Sequence, residues 1–400
     1  MTEKLAIHGG SPIRKEFLPY GRQWIDNQDI KAVSDILKTD WITQGPTVAR
    51  FEKIIADYCN AKFAVAFSSG TAALHAACSA IGISFKDEVI ISPITFAADG
   101  NCVLYRDGKI KFADIKKDTY NIDPQKIRQQ ITIKTKAILP VDYTGQPCDI
   151  SQINQLAENH NLIVIEDACH ALGAEYKGKK VGGLTDFCIF SFHPVKTITT
   201  GEGGMVLTSN KDYYDYLKLF RTHGIIKDPK RMWKNEGKWY YEMHYLGYNY
   251  RLTDFQCALG ISQFKKLDKF IKRRRYIAAL YNKAFSDLEE IVIPHEKKDV
   301  RSTYHLYMIK LNLEKLRVDR RTIFDALRAE NIGVHVHYIP LHLQPYYQKK
   351  FGYREGNYPV AEDFYKRALT LPLFPKMTEC DINDVIEAVN KVIMYYRVKA

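Results

Sequence analysis

The chain has 400 residues, 46% of them hydrophobic and 26% charged, with a formal net charge of +12. That balance excludes a disordered, fibrous or disulfide-stapled protein, and the length suggests two or three domains at ~150 residues each. No run is apolar for long enough to span a bilayer, and the excess of Lys and Arg admits an anionic partner without requiring nucleic acid.

Met1–Gly10 has no apolar signal core, so the protein is expected to stay in the cytoplasm. The eight cysteines are scattered with no CxxC pair and read as reduced, packed thiols. From about Ala64 to Asn210 short apolar runs alternate with helical segments. The runs are Ala64–Phe67, Glu88–Ser92, Ile110–Ala113, Ala137–Val141, Leu162–Glu166, Phe187–Phe190 and Gly204–Thr208. This alternation predicts an α/β fold with a mostly parallel sheet, and the runs that are apolar throughout fit strands buried on both faces. Positive charge concentrates in Lys227–Lys238, a polar loop carrying Trp233, and in Lys269–Arg275. The second reads as the solvated face of a helix whose apolar side is Leu267, Phe270, Ile271 and Ile277. No nucleic-acid recognition motif accompanies either run, so no nucleic-acid partner is expected. A single long helical pattern covers Asp254–Leu288. Strand-like Tyr304–Leu311, helix-like Arg320–Glu330, strand-like Val334–Tyr338 and a terminal helix Asp381–Tyr396 follow. The expected division is a large domain over 1–260, then a connector helix and a small α+β domain over 261–400.

Ligands of parallel sheets bind at the carboxyl ends of strands, where two candidate segments fall. The run Leu162–Glu166 ends in Asp167, and Phe190-Ser191-Phe192-His193-Pro194-Val195-Lys196 follows the next run. An acid at one strand end and a lysine beyond the next are the pair that pyridoxal phosphate (PLP) chemistry needs. The lysine makes an imine with the aldehyde, and the acid holds the pyridine nitrogen protonated. Either residue alone reads as a surface lysine or a strand cap; together in this context they read as chemistry. Ser68-Ser69-Gly70-Thr71 opens a small-residue helix whose free amides and dipole favour a phosphate. There Gly70 allows close approach and Thr71 adds a hydroxyl, although Ser-Gly-Thr is also an ordinary N-cap. Ser191 is a further phosphate candidate against the alternative of a buried hydroxyl. Phe96, just past a strand end, could stack on a pyridine ring or fill the core. His170 lies three residues beyond Asp167 and could bond that acid or the ring hydroxyl. His335, His337 and His342 lack a carboxylate or cysteine at ligand spacing, so no metal site is expected.

Eight motifs in order make the chain resemble the DegT/DnrJ/EryC1/StrS family of sugar-nucleotide aminotransferases over nearly its whole length. They are Trp41–Pro46 (WITQGP), Ser69–Leu74 (SGTAAL), Glu166–Ala171 (EDACHA), Ser191–Lys196 (SFHPVK), Gly201–Gly204 (GEGG), Arg221–Gly224 (RTHG), Gly247–Arg251 (GYNYR) and Tyr338–His342 (YIPLH). The resemblance implies a fold-type-I PLP-dependent transferase with a mixed, mostly parallel seven-stranded sheet, acting as a homodimer whose sites are shared across the interface. It implies that Lys196 anchors the cofactor and that Asp167 pairs with its ring nitrogen. Phe96 would stack on the ring, Gly70, Thr71 and Ser191 would bind its phosphate, and Asn249 would reach that phosphate from the other subunit. Tyr20 and the segment Asp40, Trp41, Ile42 and Thr43 match the part of the family that lines the sugar-nucleotide pocket, with Tyr338 and Lys227–Lys238 as further substrate-side candidates. His-Pro-Val-Lys with Ile198-Thr199-Thr200, and histidine at His170, look like the branch that makes pseudaminic acid precursors. That branch moves an amino group from L-glutamate to C4 of a UDP-linked 4-keto-6-deoxy-N-acetylhexosamine. The opening Ala6–Pro12 is commoner in other branches, which act on other nucleotide-linked 3- or 4-keto sugars. Sugar dehydratases of the same fold carry histidine at the lysine position, and non-catalytic relatives usually lose the lysine or the acid; this chain keeps both.

Overall fold

The computed structural model describes residues 4–398. Its centre is a seven-stranded sheet of β1 (Phe63–Phe67), β2 (Glu88–Ile91), β3 (Lys109–Phe112), β4 (Thr135–Leu139), β5 (Ile163–Asp167), β6 (Phe187–Ser191) and β7 (Gly204–Thr208). The spatial order is β1-β7-β6-β5-β4-β2-β3. β2 through β6 pair in parallel, whereas β7 runs antiparallel to both neighbours. The strands are apolar because both faces are covered: Val65, Phe67, Val89, Ile91, Leu139 and Ile165 pack to one side and Ala64, Ala66, Cys188, Phe190 and Leu207 to another. Gly204 pairs with Phe67 on one side and with Ser191 on the other. That register brings the loops after β1 and β6 together, and the parallel strands add the loops after β2, β4 and β5 to the same edge.

Two helices follow strands at that edge. α1 (Gly70–Ala80) starts after β1, where the Ser69 hydroxyl caps it by accepting from the Ala72 amide at 3.1 Å. α2 (Ala97–Leu104) starts after β2, with Phe96 at its N-cap. Further along, the helical pattern expected as one element over Asp254–Leu288 is two, α3 (Asp254–Phe264) and α4 (Leu267–Phe285). The break carries no Gly or Pro. Lys266 instead turns inward to pair with Asp26 at 2.9 Å and Asp29 at 2.5 Å, so a tertiary ion pair sets the boundary.

α4 joins two bodies of core: Leu267, Phe270 and Ile271 pack with the sheet, while Ile277, Tyr281 and Phe285 pack with the C-terminal elements. The latter are β8 (Ile291–Val292), β9 (Tyr307–Leu311) and β10 (Ala368–Leu371) in one antiparallel sheet, with α5 (Arg320–Ala329) and α6 (Glu379–Tyr396). Leu5 and Leu18 also belong to this second core. Val334–Tyr338, expected as a strand, is not one. Only His335 bridges to β10, at Thr370, and the segment is held otherwise by side chains: His337 Nδ1 lies 2.9 Å from Thr370 Oγ1, and the Tyr143 hydroxyl donates to the His337 carbonyl. Among the described residues, no helix is long and apolar enough to cross a membrane.

Candidate active site

The loops at the carboxyl edge of the sheet, with segments from the second core, enclose a cleft of about 670 Å³. Lys196 and Asp167 both line it. Lys196 sits in the turn after β6, is half-buried, and opens onto the cleft rather than onto bulk water. Burial pushes its amine below the ordinary lysine value, partly opposed by Cys169, Asp167 and Asp99. Asp167 ends β5, where its Oδ1 accepts from the Cys169 amide at 3.0 Å, a bond that fixes the carboxylate facing the cleft.

Ser68, Ser69, Gly70, Thr71 and Ser191 form one end of the cleft. The first amides of α1 precede its first intrahelical bond, which runs from Ala73 to the Ser69 carbonyl at 3.1 Å. A Cβ on Gly70 would stand 3.1 Å from Ser191 Cβ and 3.3 Å from its hydroxyl, so glycine keeps this corner open. A hydroxyl-lined cradle at a helix N-terminus, with an amine and a carboxylate in the same cleft, fits a phosphorylated pyridine aldehyde: each end of PLP meets a group of suitable chemistry.

Phe96 is 60% exposed, its ring turned to the cleft and 6.1 Å from that of Tyr338. The opposite wall is built of histidines and tyrosines. His170 Nε2 lies 3.2 Å from the Tyr338 hydroxyl, and its ring centroid is 4.3 Å from that of His305. Tyr20 lies 5.2 Å from the rings of both His335 and His337. Burial, then the charge of Lys196, holds His170 well below the usual imidazole range, and burial with His335 brings His337 down to about 3. His170 and His337 are therefore neutral at pH 7 and offer a ligand hydrogen bonds and ring contacts rather than charge.

Of the residues expected from the sequence, Lys196, Asp167, Gly70, Thr71, Phe96, His170, Ser191, Tyr20 and Tyr338 come together in this cleft. Asn249 does not line it: it is exposed and bridges Thr222. Asp40, Trp41, Ile42 and Thr43 also lie outside it, on the surface, pinned where Thr43 bridges Thr253 and the Asp254 amide donates to the Ile42 carbonyl at 3.0 Å. Lys227–Lys238 is an exposed loop whose Trp233 and Lys234 amides both donate to Glu242 at 2.8 Å. His342 is elsewhere, 2.9 Å from Glu362. Sequence reasoning passed over His305 and Asp99. His305, a histidine just before β9 in the otherwise apolar run Tyr304–Leu311, lines the cleft, and Asp99, an acid in the small-residue run Ala97–Cys102, lies buried behind it. A polar residue inside an apolar segment was the available signal for both.

A sequence model of the DegT/DnrJ/EryC1/StrS aminotransferase family matches residues 23–390. An uncharacterised protein of Methanocaldococcus jannaschii is 47% identical over 381 residues, covering 95% of this chain and 99% of that protein. The spore coat polysaccharide biosynthesis protein SpsC of Bacillus subtilis is 42% identical, covering 95% and 98%. The UDP-4-amino-4,6-dideoxy-N-acetyl-beta-L-altrosamine transaminase of Campylobacter jejuni is 40% identical, covering 94% and 97%. Among solved structures, Helicobacter pylori PseC, an aminotransferase involved in pseudaminic acid biosynthesis, superposes with a TM-score of 0.88 at 32% identity, covering 95% of this chain and 100% of that one. A Streptococcus pneumoniae protein superposes in its PLP form and its PMP form with TM-scores of 0.87 and 0.88 at 29% and 30% identity, covering 95% and 94% of this chain and 99% of that one.

Proposed function

The chain belongs to the DegT/DnrJ/EryC1/StrS aminotransferase family and is a PLP-dependent sugar aminotransferase; from that premise we propose that it aminates C4 of a UDP-linked 4-keto-6-deoxy-N-acetylhexosamine. L-glutamate is the donor, and the product feeds pseudaminic acid or a related surface glycan. The observation that carries the choice of sugar is the near full-length likeness to the Campylobacter altrosamine transaminase and to PseC. A second reading has its own support: the Bacillus spore coat protein is slightly more similar, at 42% identity. On that reading the acceptor is a different nucleotide-linked 3- or 4-keto sugar.

PLP, when bound, supplies an aldehyde that takes the amino group and a pyridine ring that draws electrons from the reacting carbon. In this proposal Lys196 Nζ anchors the cofactor and, once displaced by an amine, carries the proton between the substrate carbon and the cofactor carbon. Its lowered proton affinity suits an amine that must act as a base near neutrality. Asp167 holds the proton on the ring nitrogen, and Phe96 packs on the ring. Gly70, Thr71 and Ser191 hold the phosphate. His170, kept neutral and linked to Tyr338, orients the ring oxygen, and Tyr20 and Tyr338 meet the sugar side.

The proposal includes a cytoplasmic homodimer and a division near residue 260, with 1–260 carrying the cofactor. The homodimer gives Asn249 a partner site to reach and covers Trp233, 88% exposed, and Trp239, 76% exposed, which are costly for a solvated monomer. The deciding experiment supplies purified protein with PLP, L-glutamate and a panel of nucleotide-linked keto sugars, with products identified by mass spectrometry and NMR. Nitrogen at C4 of the L-altro-configured N-acetyl sugar is the expected result. Turnover of another keto sugar alone would establish the second reading, and light scattering on the same sample reports the dimer.

A further inference from the structure

Arg274, on α4, is the one Lys or Arg that is buried among the described residues, at 2% exposed. None of its hydrogen bonds goes to a carboxylate. Its Nη1 donates to the carbonyls of His305 at 3.0 Å and Leu373 at 2.9 Å, and its Nε is buried with no partner among the described residues. Burial brings the guanidinium down to about 10, so it is still a cation at pH 7. A buried charge is ordinarily paired, because taking it out of water is costly. The buried Asp29 does not serve here, since it is paired with Lys266 at 2.5 Å.

Arg274 lines a cavity of about 10 Å³, room for one water-sized particle. Arg22 and Lys196 line it too, and no Asp or Glu does. Thr197, 5% exposed, adds a hydroxyl that makes no hydrogen bond among the described residues. Trp24 and Phe270, stacked at 5.6 Å, add apolar walls that strengthen any charge interaction inside. Lys196 alone lines both this cavity and the cleft, so a charge held here stands beside the amine that meets the cofactor. Three cations, unused donors and space for one small particle select a small monovalent anion. A carboxylate, phosphate or sulfate exceeds the space, and water satisfies the donors without matching the charge.

We propose that this cavity is a halide site, in which chloride held by Arg274 and Thr197 neutralises the buried guanidinium and raises the proton affinity of Lys196. The groups facing Lys196 from the cleft are Asp167, Asp99 and Cys169, with His170, His305 and His337; from the cavity they are Arg274 and Arg22. The cleft side already carries acids and the cavity side only cations, so the anion acts where negative charge is lacking. The site stands on these residues alone; its effect on the lysine rests on the reading of Lys196 as the cofactor's anchor.

The test uses full-length holoprotein. Crystals soaked in sodium bromide should show an anomalous peak in the cavity beside Arg274. In solution, the absorbance of the lysine-bound cofactor is titrated against pH at fixed ionic strength, with chloride replacing gluconate. Chloride should move the transition to higher pH by about one unit, the low end of what an opposite charge at close range does, and the shift should saturate. Thr197→Val should weaken chloride by about tenfold, the scale of a lost hydrogen bond to a charged group, and Arg274→Met should abolish the shift. Thr197→Val and the bromide map decide the matter should Arg274→Met fail to fold. The proposal is overturned if no bromide peak lies in the cavity, or if chloride leaves the wild-type transition unmoved, which would mean binding at crystal concentration only. It is overturned equally if either variant keeps the wild-type shift and affinity, which would place the anion in the cleft. Holoprotein without lysine-bound absorbance would refute the reading of Lys196, while the bromide map would still decide the site.

Discussion

Replacing Asp254 by alanine should injure one half of the reaction and spare the other. Asp254 is fully buried at the start of α3. Its Oδ2 accepts from the Gly45 amide at 2.7 Å and its Oδ1 from the Thr47 amide at 2.9 Å. Its own amide holds the Ile42 carbonyl, so one residue fastens both sides of the segment expected to line the sugar-nucleotide pocket. Each bond to a charged acceptor contributes about 1.5–3 kcal/mol. Gly45 and Thr47 are half-buried and regain water when the segment loosens, so the net loss is nearer one such bond than two. A loss of about 1.5–3 kcal/mol corresponds to about 10- to 150-fold in kcat/KM for the keto sugar. Glutamate alone should still convert the cofactor at the wild-type rate, because Lys196 and Asp167 line the cleft and this segment lies outside it. The assay is stopped-flow absorbance for the glutamate half-reaction beside steady-state kinetics in the sugar. Equal damage to both halves would mean that Asp254 supports the whole fold, and an unchanged sugar kcat/KM would mean that this segment does not line the pocket.

Lys196→Ala should abolish amino transfer and the absorbance of the covalently held cofactor together, read by spectrophotometry and product analysis. Gly204→Ala should destabilise the protein by about 1–3 kcal/mol and weaken PLP binding, because its Cβ would stand 2.3 Å from the Ser69 carbonyl and push the phosphate cradle aside; melting temperature and PLP titration report this. His75, ringed by Tyr105, Phe220, Tyr248 and Tyr250, is pushed down to about 4, by burial first and then by Arg106. Below the unfolded value of about 6.5 the unfolded chain takes a proton that the folded chain refuses, so this residue lowers stability by about 1.4 kcal/mol per pH unit from about pH 6.5 towards pH 4. His75→Gln should therefore lose less melting temperature than the wild type between pH 7 and pH 5.

The seven sheet strands were readable because strands covered on both faces must be apolar along their length: Leu162–Glu166 was expected and Ile163–Asp167 is found. Chain order alone also placed Ser69–Thr71, Asp167 and Lys196 at strand ends. Elements set by distant partners were not readable. The break at Lys266 depends on Asp26 and Asp29, and the extended path of Val334–Tyr338 depends on Thr370 and Tyr143.

The position of β7 has a consequence for biosynthesis. β1 is an edge strand whose one neighbour in the sheet is β7, so Phe63–Phe67 stays unpaired until Gly204–Thr208 has been made. At ~5–20 residues per second, a ribosome leaves that apolar strand without its partner for about seven to thirty seconds. Over the same interval the loop that cradles the phosphate has no floor, because Gly204 supplies it. A nascent chain ending before β7 is therefore both open to edge-to-edge pairing and unable to be rescued by its cofactor. PLP added during synthesis should protect the chain only after the seventh strand has closed the sheet.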